Sequence, residues 1–323
     1  MAMLPNPLPR LTDDLSGAAL GLRLPPGRLV DTTCDGTWHE PLLWHADTPT
    51  GPGSWPEPAA ARAVGLLPVL LESGGIPSME DVATWELDPG AMSYPGHHDA
   101  EEVLAHAWPL CAEAADTDSD SDSDADVSAD ADVSADRDDD TAEDADAGPA
   151  DHDDDPADAE WDDELRDLVA PFGPAFPGLA PKLLTSAEAA AGRPDAVAAE
   201  LTAALTGSGR LRDPRAALVY ARRSADVPAA IGWTGPVNHE HDVARLCAVL
   251  RSWEDRFGLR VVALGFATLT ATVAAPPTTV EEAEAVAAEH LSFCPDNITQ
   301  GPGTLRAYAK SLVDEGVWTF WWD

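Results

Sequence analysis

Basic residues are scarce in this sequence, with 19 Lys and Arg against 58 Asp and Glu in 323 residues and a formal charge of -39. A nucleic-acid backbone is bound by clustered cations that displace its counterions, so so acidic a chain argues against that partner. Cysteine is also rare: Cys34, Cys111, Cys247 and Cys294 are scattered and no two form a CxxC pair. Free buried thiols are expected, not disulfides or a structural zinc site, and with them a cytoplasmic protein. No apolar run approaches the roughly 20 residues that span a bilayer, and the start lacks a basic segment followed by an apolar one, so no membrane is expected. Phosphate-binding glycine loops, nucleophile elbows and dinucleotide fingerprints are all missing, so no catalytic residue and no cofactor is assigned.

The acids that are present are unevenly spread. Between Glu113 and Glu164 lie 25 of them against Arg137 alone, so that stretch carries -24 of the charge and the rest carries -15. Its repetition is literal, Ala125 to Asp130 recurring as Ala131 to Asp136 after alternating Asp and Ser. Like charges repel and there is little to bury, so residues 113–164 are read as a disordered acidic insertion. Loose calcium binding there lacks the sixth-position glycine and closing glutamate of an EF-hand loop.

The remaining chain divides into an N-terminal α/β half (1–112), a connecting segment with a short helix and a strand (165–227), and a C-terminal α+β core (228–323). In the first, Arg28 to Val30 and Pro41 to Trp44 read as short strands, and Asp99 caps a helix carrying Val103, Leu104 and Trp108. In the connecting segment, Ala196 to Leu205 reads as the helix and Ala216 to Tyr220 as the strand. The C-terminal block is the most regular. From Asn238 or His239 to Phe257, apolar residues recur every three or four positions, and Gly258 stands where a helix ends. Val261 to Leu264 and Leu269 to Val273 read as two strands. Thr279 and Glu282 form a capping box before a helix that ends short of Pro295. A last helix starts near Thr304, with Gly316 expected as its cap. Val317 to Asp323 has no polar face and is expected to be a central strand, covered on both sides. The fold class is α+β: a mixed sheet with helices packed on it.

Several of these segments carry a resemblance. Arg222 to Trp233, the Val249 to Gly258 helix end, Pro276-Pro277-Thr278-Thr279, Phe293-Cys294-Pro295-Asp296 and the Trp-rich close resemble the bacterial family catalogued as domain of unknown function 4253, and the first hundred residues resemble the N-terminal part of its longer members. The family implies no activity and no catalytic residues. It suggests only that these motifs line whatever site exists.

The candidate ligand or partner surface comprises Arg222, Arg223, Trp233, Asn238, His239, His241, Cys294 and Asp296. An arginine pair at a strand end can receive a carboxylate or phosphate as a forked donor, although an ion pair with a neighbouring acid such as Asp226 is the commoner fate of such residues. His239 to Asp242, and His290 with Cys294 one turn on, have ligand chemistry, but no zinc spacing is present and no metal is assigned. Cys294 is expected as a small buried hydrophobe, with Asp296 or Asn297 making turn hydrogen bonds. Trp38, Trp44 and Trp233 are the tryptophans considered for a surface. The expected function is a cytosolic, non-enzymatic protein-interaction module, immunity-like or regulatory, that binds a basic partner. The alternative is an enzyme, a hydrolase for instance, with a site near Arg222, Arg223, Asn238 and His241; a deep pocket joining those four would favour it.

Overall fold

The computed structural model describes residues 5–51, 58–73, 82–108 and 163–323. The acidic insertion lies outside them, except for Asp163 and Glu164. Among the described residues the strands are β1 (Gly27–Val30), β2 (Thr32–Thr33), β3 (Gly36–Thr37), β4 (Leu43–Ala46), β5 (Leu66–Leu71), β6 (Arg215–Tyr220), β7 (Arg260–Leu264), β8 (Thr268–Thr272) and β9 (Val317–Trp321). Seven make one mixed sheet in the order β1-β4-β6-β5-β7-β8-β9, and β2 and β3 pair separately. All neighbours in the large sheet are antiparallel except β5 and β7. The helices are α1 (Pro58–Ala63), α2 (Ala100–Ala107), α3 (Asp163–Val169), α4 (Ser186–Ala190), α5 (Arg193–Ser208), α6 (Val227–Ile231), α7 (Val243–Phe257), α8 (Val280–Phe293), α9 (Asp296–Thr299) and α10 (Leu305–Leu312).

The central strands read as unbroken apolar runs because both faces of the sheet are covered. In β6, Ala217 and Val219 join the large core with α7 and α8, while Ala216 and Leu218 turn to a second cluster with Leu8, Leu11, Leu20 and Leu22. In β5, Leu67, Val69 and Leu71 face the large core, and Leu70 packs with Ala198 and Leu205 of α5. That is the two-residue period of a strand, read out on two different layers. The N-terminal half does not simply lean on the C-terminal block. Its strand β5 is inserted between β6 and β7, so strands far apart in sequence share one sheet.

Local signals set most helix ends. Asp99 accepts hydrogen bonds from the Glu101 and Glu102 amides at the start of α2, and Thr279 with Glu282 forms the expected capping box on α8. Gly258 closes α7 in the left-handed region, at φ 68°. Three expectations are corrected. Helix α7 starts at Val243, not near Asn238, because Thr234 to Glu240 folds into turns closed on Thr234 and Pro236 and Asp242 supplies the cap. Gly316 does not cap α10; Val313 ends it, and Asp314 takes the left-handed position at φ 57°.

The third correction concerns β9, which is an edge strand. Trp318, Phe320 and Trp322 are buried while Thr319 is exposed, so one face is covered and the other open. An exposed edge invites pairing with another chain. Here the Asn297 side chain covers it, donating to Thr319 O at 2.7 Å and accepting from Trp321 N at 3.2 Å. A side chain thus stands in for the missing neighbour strand.

Candidate functional site

At one end of the sheet, the end of β6 meets the starts of β5 and β7, and the chain opens into a cleft of about 840 Å³. Strand β6 delivers Tyr220, Ala221, Arg222 and Arg223; the last turn of α1 gives Arg62; the segment before α4 gives Lys182; β7 opens with Arg260. Five of the chain's 19 cationic side chains therefore line this one space, together with three carboxylates: Asp195, Glu254 and Asp255. Lys182 is one of only two lysines in the sequence. In a chain of charge -39, this is a local reversal of sign.

Most of these charges are already paired. Glu254, buried near the end of α7, accepts from Arg223 Nε at 2.6 Å, Ser224 Oγ at 2.6 Å and Ala225 N at 3.2 Å, and lies 3.7 Å from Arg260. Asp255 takes the other edge of the Arg223 guanidinium at 2.7 Å. Burial alone would lower the Arg223 pKa, but the hydrogen bonds it donates to Asp255 and Glu254 outweigh that and shift it upward, so the side chain stays charged. Asp195, in the first turn of α5, bridges Arg62 at 2.8 Å and Arg260 at 2.7 Å. Arg222 and Lys182 differ. Both are exposed, and neither has an ion-pair partner among the described residues.

The apolar part of the lining comes from Leu67, Leu184, Ala189, Pro194 and Ala221, with Tyr220 half-buried among them. Helix α5 presents its first turn to the cleft through Pro194 and Asp195, bringing the positive end of its dipole to the site. Such a space can hold a ligand of a few hundred daltons by one charged end and an apolar body. Neither histidine nor cysteine stands among its described lining residues.

The other candidates lie elsewhere. Asn238 is exposed and donates to Asp323 O at 3.1 Å, and Asp296 accepts from Asp323 N at 3.0 Å, so these two hold the chain's last residue. Neither of them, nor His241, lines the cleft, and the four-residue site of the enzyme alternative is not assembled. His239 is half-buried, with its pKa lowered by burial. Trp233 is a core residue at 1 % exposure, its indole N–H donating to Gly265 O and Phe266 O, and Trp44 is fully buried. Neither offers a partner surface. Cys294 is buried as expected, its thiol donating to Trp321 O at 2.9 Å. The His290 ring hydrogen-bonds Tyr308 at 3.1 Å through Nδ1 inside a cage of Trp253, Trp318 and Phe320. Arg223 has taken the ion-pair role, but with Glu254 and Asp255; Asp226 is paired with Arg251.

One cluster imitates catalytic machinery. Ser93 Oγ is 2.6 Å from His98 Nε2, and Asp242 Oδ2 is 3.7 Å from the same nitrogen. A relay needs the carboxylate on the opposite ring nitrogen, where it fixes the tautomer. Asp242 is occupied instead with the Ser93 and Ala244 amides, as a cap.

Residues 215–323 match the family described as Domain of unknown function (DUF4253). The matched region contributes Tyr220 to Ser224, Glu254, Asp255 and Arg260 to the cleft, while Arg62, Lys182 and Asp195 come from outside it. No curated protein and no solved structure matches the chain. Among the described residues no helix is long and apolar enough to cross a membrane.

Proposed function

We propose that the protein works by binding and that its recognition surface is the cationic cleft, which takes a ligand bearing a carboxylate or phosphate. The observation that carries this reading is the exposed pair Lys182 and Arg222, free of ion pairs among the described residues, at a site whose other cations are held rigid by Glu254, Asp255 and Asp195. Fixed cations make the field, and free ones receive the ligand. Binding is favoured over hydrolysis because the Ser224 hydroxyl in the cleft is committed, donating to Glu254 and accepting from Val261 N at 3.2 Å. We place the protein in the cytoplasm, where free thiols such as Cys34 and Cys247 persist.

Calorimetric titration with citrate and with inorganic phosphate at low ionic strength tests the reading. Heat of binding in the wild type that vanishes in the Lys182→Ala, Arg222→Ala double variant, with its unfolding midpoint unchanged, is expected. Absence of binding by either anion, or equal binding by both proteins, contradicts it.

A second reading, recognition of a basic protein partner, is favoured by the charge distribution. The cleft concentrates five cations, so the rest of the surface is more acidic than the total suggests and would steer a basic protein toward it. Capture of one defined basic protein by full-length chain, lost at moderate salt and insensitive to the Lys182 and Arg222 substitutions, would establish that reading instead.

A further inference from the structure

Resting on the anion-binding reading, we infer that Arg223 is a third ligand-binding cation of the cleft, and that Asp255 occupies its outer edge until a ligand's carboxylate or phosphate displaces it. The Arg223 guanidinium is gripped on two edges of unequal strength. Its inner edge donates from Nε to Glu254 at 2.6 Å and from Nη2 to Arg251 O at 3.2 Å. Its outer edge donates from Nη2 to Asp255 Oδ1 at 2.7 Å and from Nη1 to Asp255 Oδ2 at 3.3 Å. Two donors on the two oxygens of one carboxylate form the fork with which arginine receives a free carboxylate or phosphate. Asp255 therefore marks, with a group of the chain itself, the place of an anionic ligand.

Of the three carboxylates in the cleft, Asp255 is the one that can leave with little loss. The Glu254 side chain is 6 % exposed and also receives Ser224 Oγ and Ala225 N, so releasing it would strand a buried charge. Asp195 ties Arg62 to Arg260, and its departure would break two pairs at once. The Asp255 side chain is 68 % exposed, and its hydrogen bonds are to Arg223. An ion pair so open to water favours the closed contact by a factor of about five or less. Once Asp255 turns to solvent, Arg223 needs no reordering, because Glu254 and Arg251 O keep its plane fixed. Arg222, its neighbour in the chain, and Lys182 line the same cleft. Those two attract the anion, and the Arg223 fork orients it.

Calorimetry on the full-length protein with citrate and with inorganic phosphate, at low ionic strength, tests the role of Arg223. Asp255→Ala should bind citrate, phosphate or both about fivefold more tightly than the wild type, since the competing carboxylate is gone; the anion that gains names the ligand's acidic group. Removing a negative charge also strengthens the field, so the gain must be shown to pass through Arg223. Arg223→Lys keeps the charge, but its single ammonium is taken by Glu254 and offers no fork. In that background Asp255→Ala should gain no more than about twofold, the effect of one charge acting through water. Circular dichroism of each variant checks that the fold is kept. A crystal of Asp255→Ala grown with tungstate gives a readout that does not depend on the lysine variant: the anion is expected on Nη1 and Nη2 of Arg223. No gain in Asp255→Ala, an equal gain in both backgrounds, or an anion that touches Lys182 and Arg222 but not Arg223 overturns the inference and leaves the anion site standing. If neither the wild type nor Asp255→Ala binds either anion, both readings fall.

Discussion

Two arginine–carboxylate clusters sit within one turn of each other at the end of α7, and they do different work. Arg256 forks onto Glu289, which is 0 % exposed and also receives Ala180 N at 2.6 Å and Trp253 Nε1 at 2.7 Å. That cluster clips the segment around Ala180 onto α7 and α8, and nothing in it faces the cleft. Arg223 forks onto Glu254 and Asp255 with the same chemistry, but Asp255 is 68 % exposed and the whole cluster lines an open space. Access to solvent, not residue type, separates a buried structural ion pair from one that a ligand can reach.

The contrast can be broken from the buried side first. Glu289→Ala strands a buried guanidinium and two N–H donors, and should cost about 3–5 kcal/mol in urea unfolding; a loss below about 1 kcal/mol would remove the distinction. Acidification acts on the same interior through His290. Its pKa is pushed down to about 3 by burial, below the ordinary histidine value in the unfolded chain. The unfolded state therefore binds the extra proton between those values, and stability should fall as pH drops from about 6.5 toward 3, by up to about 1.4 kcal/mol per unit. A His290→Leu variant, compared by denaturation at pH 7 and pH 5, should show a shallower decline. Arg223→Ala should cost less, about 1–3 kcal/mol, since Glu254 keeps Ser224, the Ala225 amide and nearby Arg260. Arg222→Ala should alter stability by no more than about 0.5 kcal/mol while weakening anion binding. A large stability loss at Arg222 would mean that the residue is structural.

What the sequence revealed was local. The Thr279–Glu282 box, the Asp99 cap and Gly258 act within a few residues, and each is legible because its partners are adjacent in the chain. The Arg222–Arg223 pair was visible for the same reason, as two cations in an acidic chain. Lys182, Arg62, Asp195 and Arg260 were not, because they meet the pair only after β5 slots between β6 and β7, strands far from it in sequence. The edge position of β9 was misread since its cover is the Asn297 side chain, which imitates a strand with two hydrogen bonds and leaves no periodic signal. Trp233 is a candidate for a partner surface from the sequence, yet it is a core residue whose indole N–H closes on Gly265 O at 2.9 Å, a partner 32 residues away.

The most direct measurement is diffraction from crystals grown with tungstate, a heavy analogue of phosphate. An anomalous peak in the cleft beside Lys182 and Arg222 is expected, absent when both are replaced by alanine. A cleft that stays empty while tungstate settles elsewhere on the surface would contradict the assignment of this site.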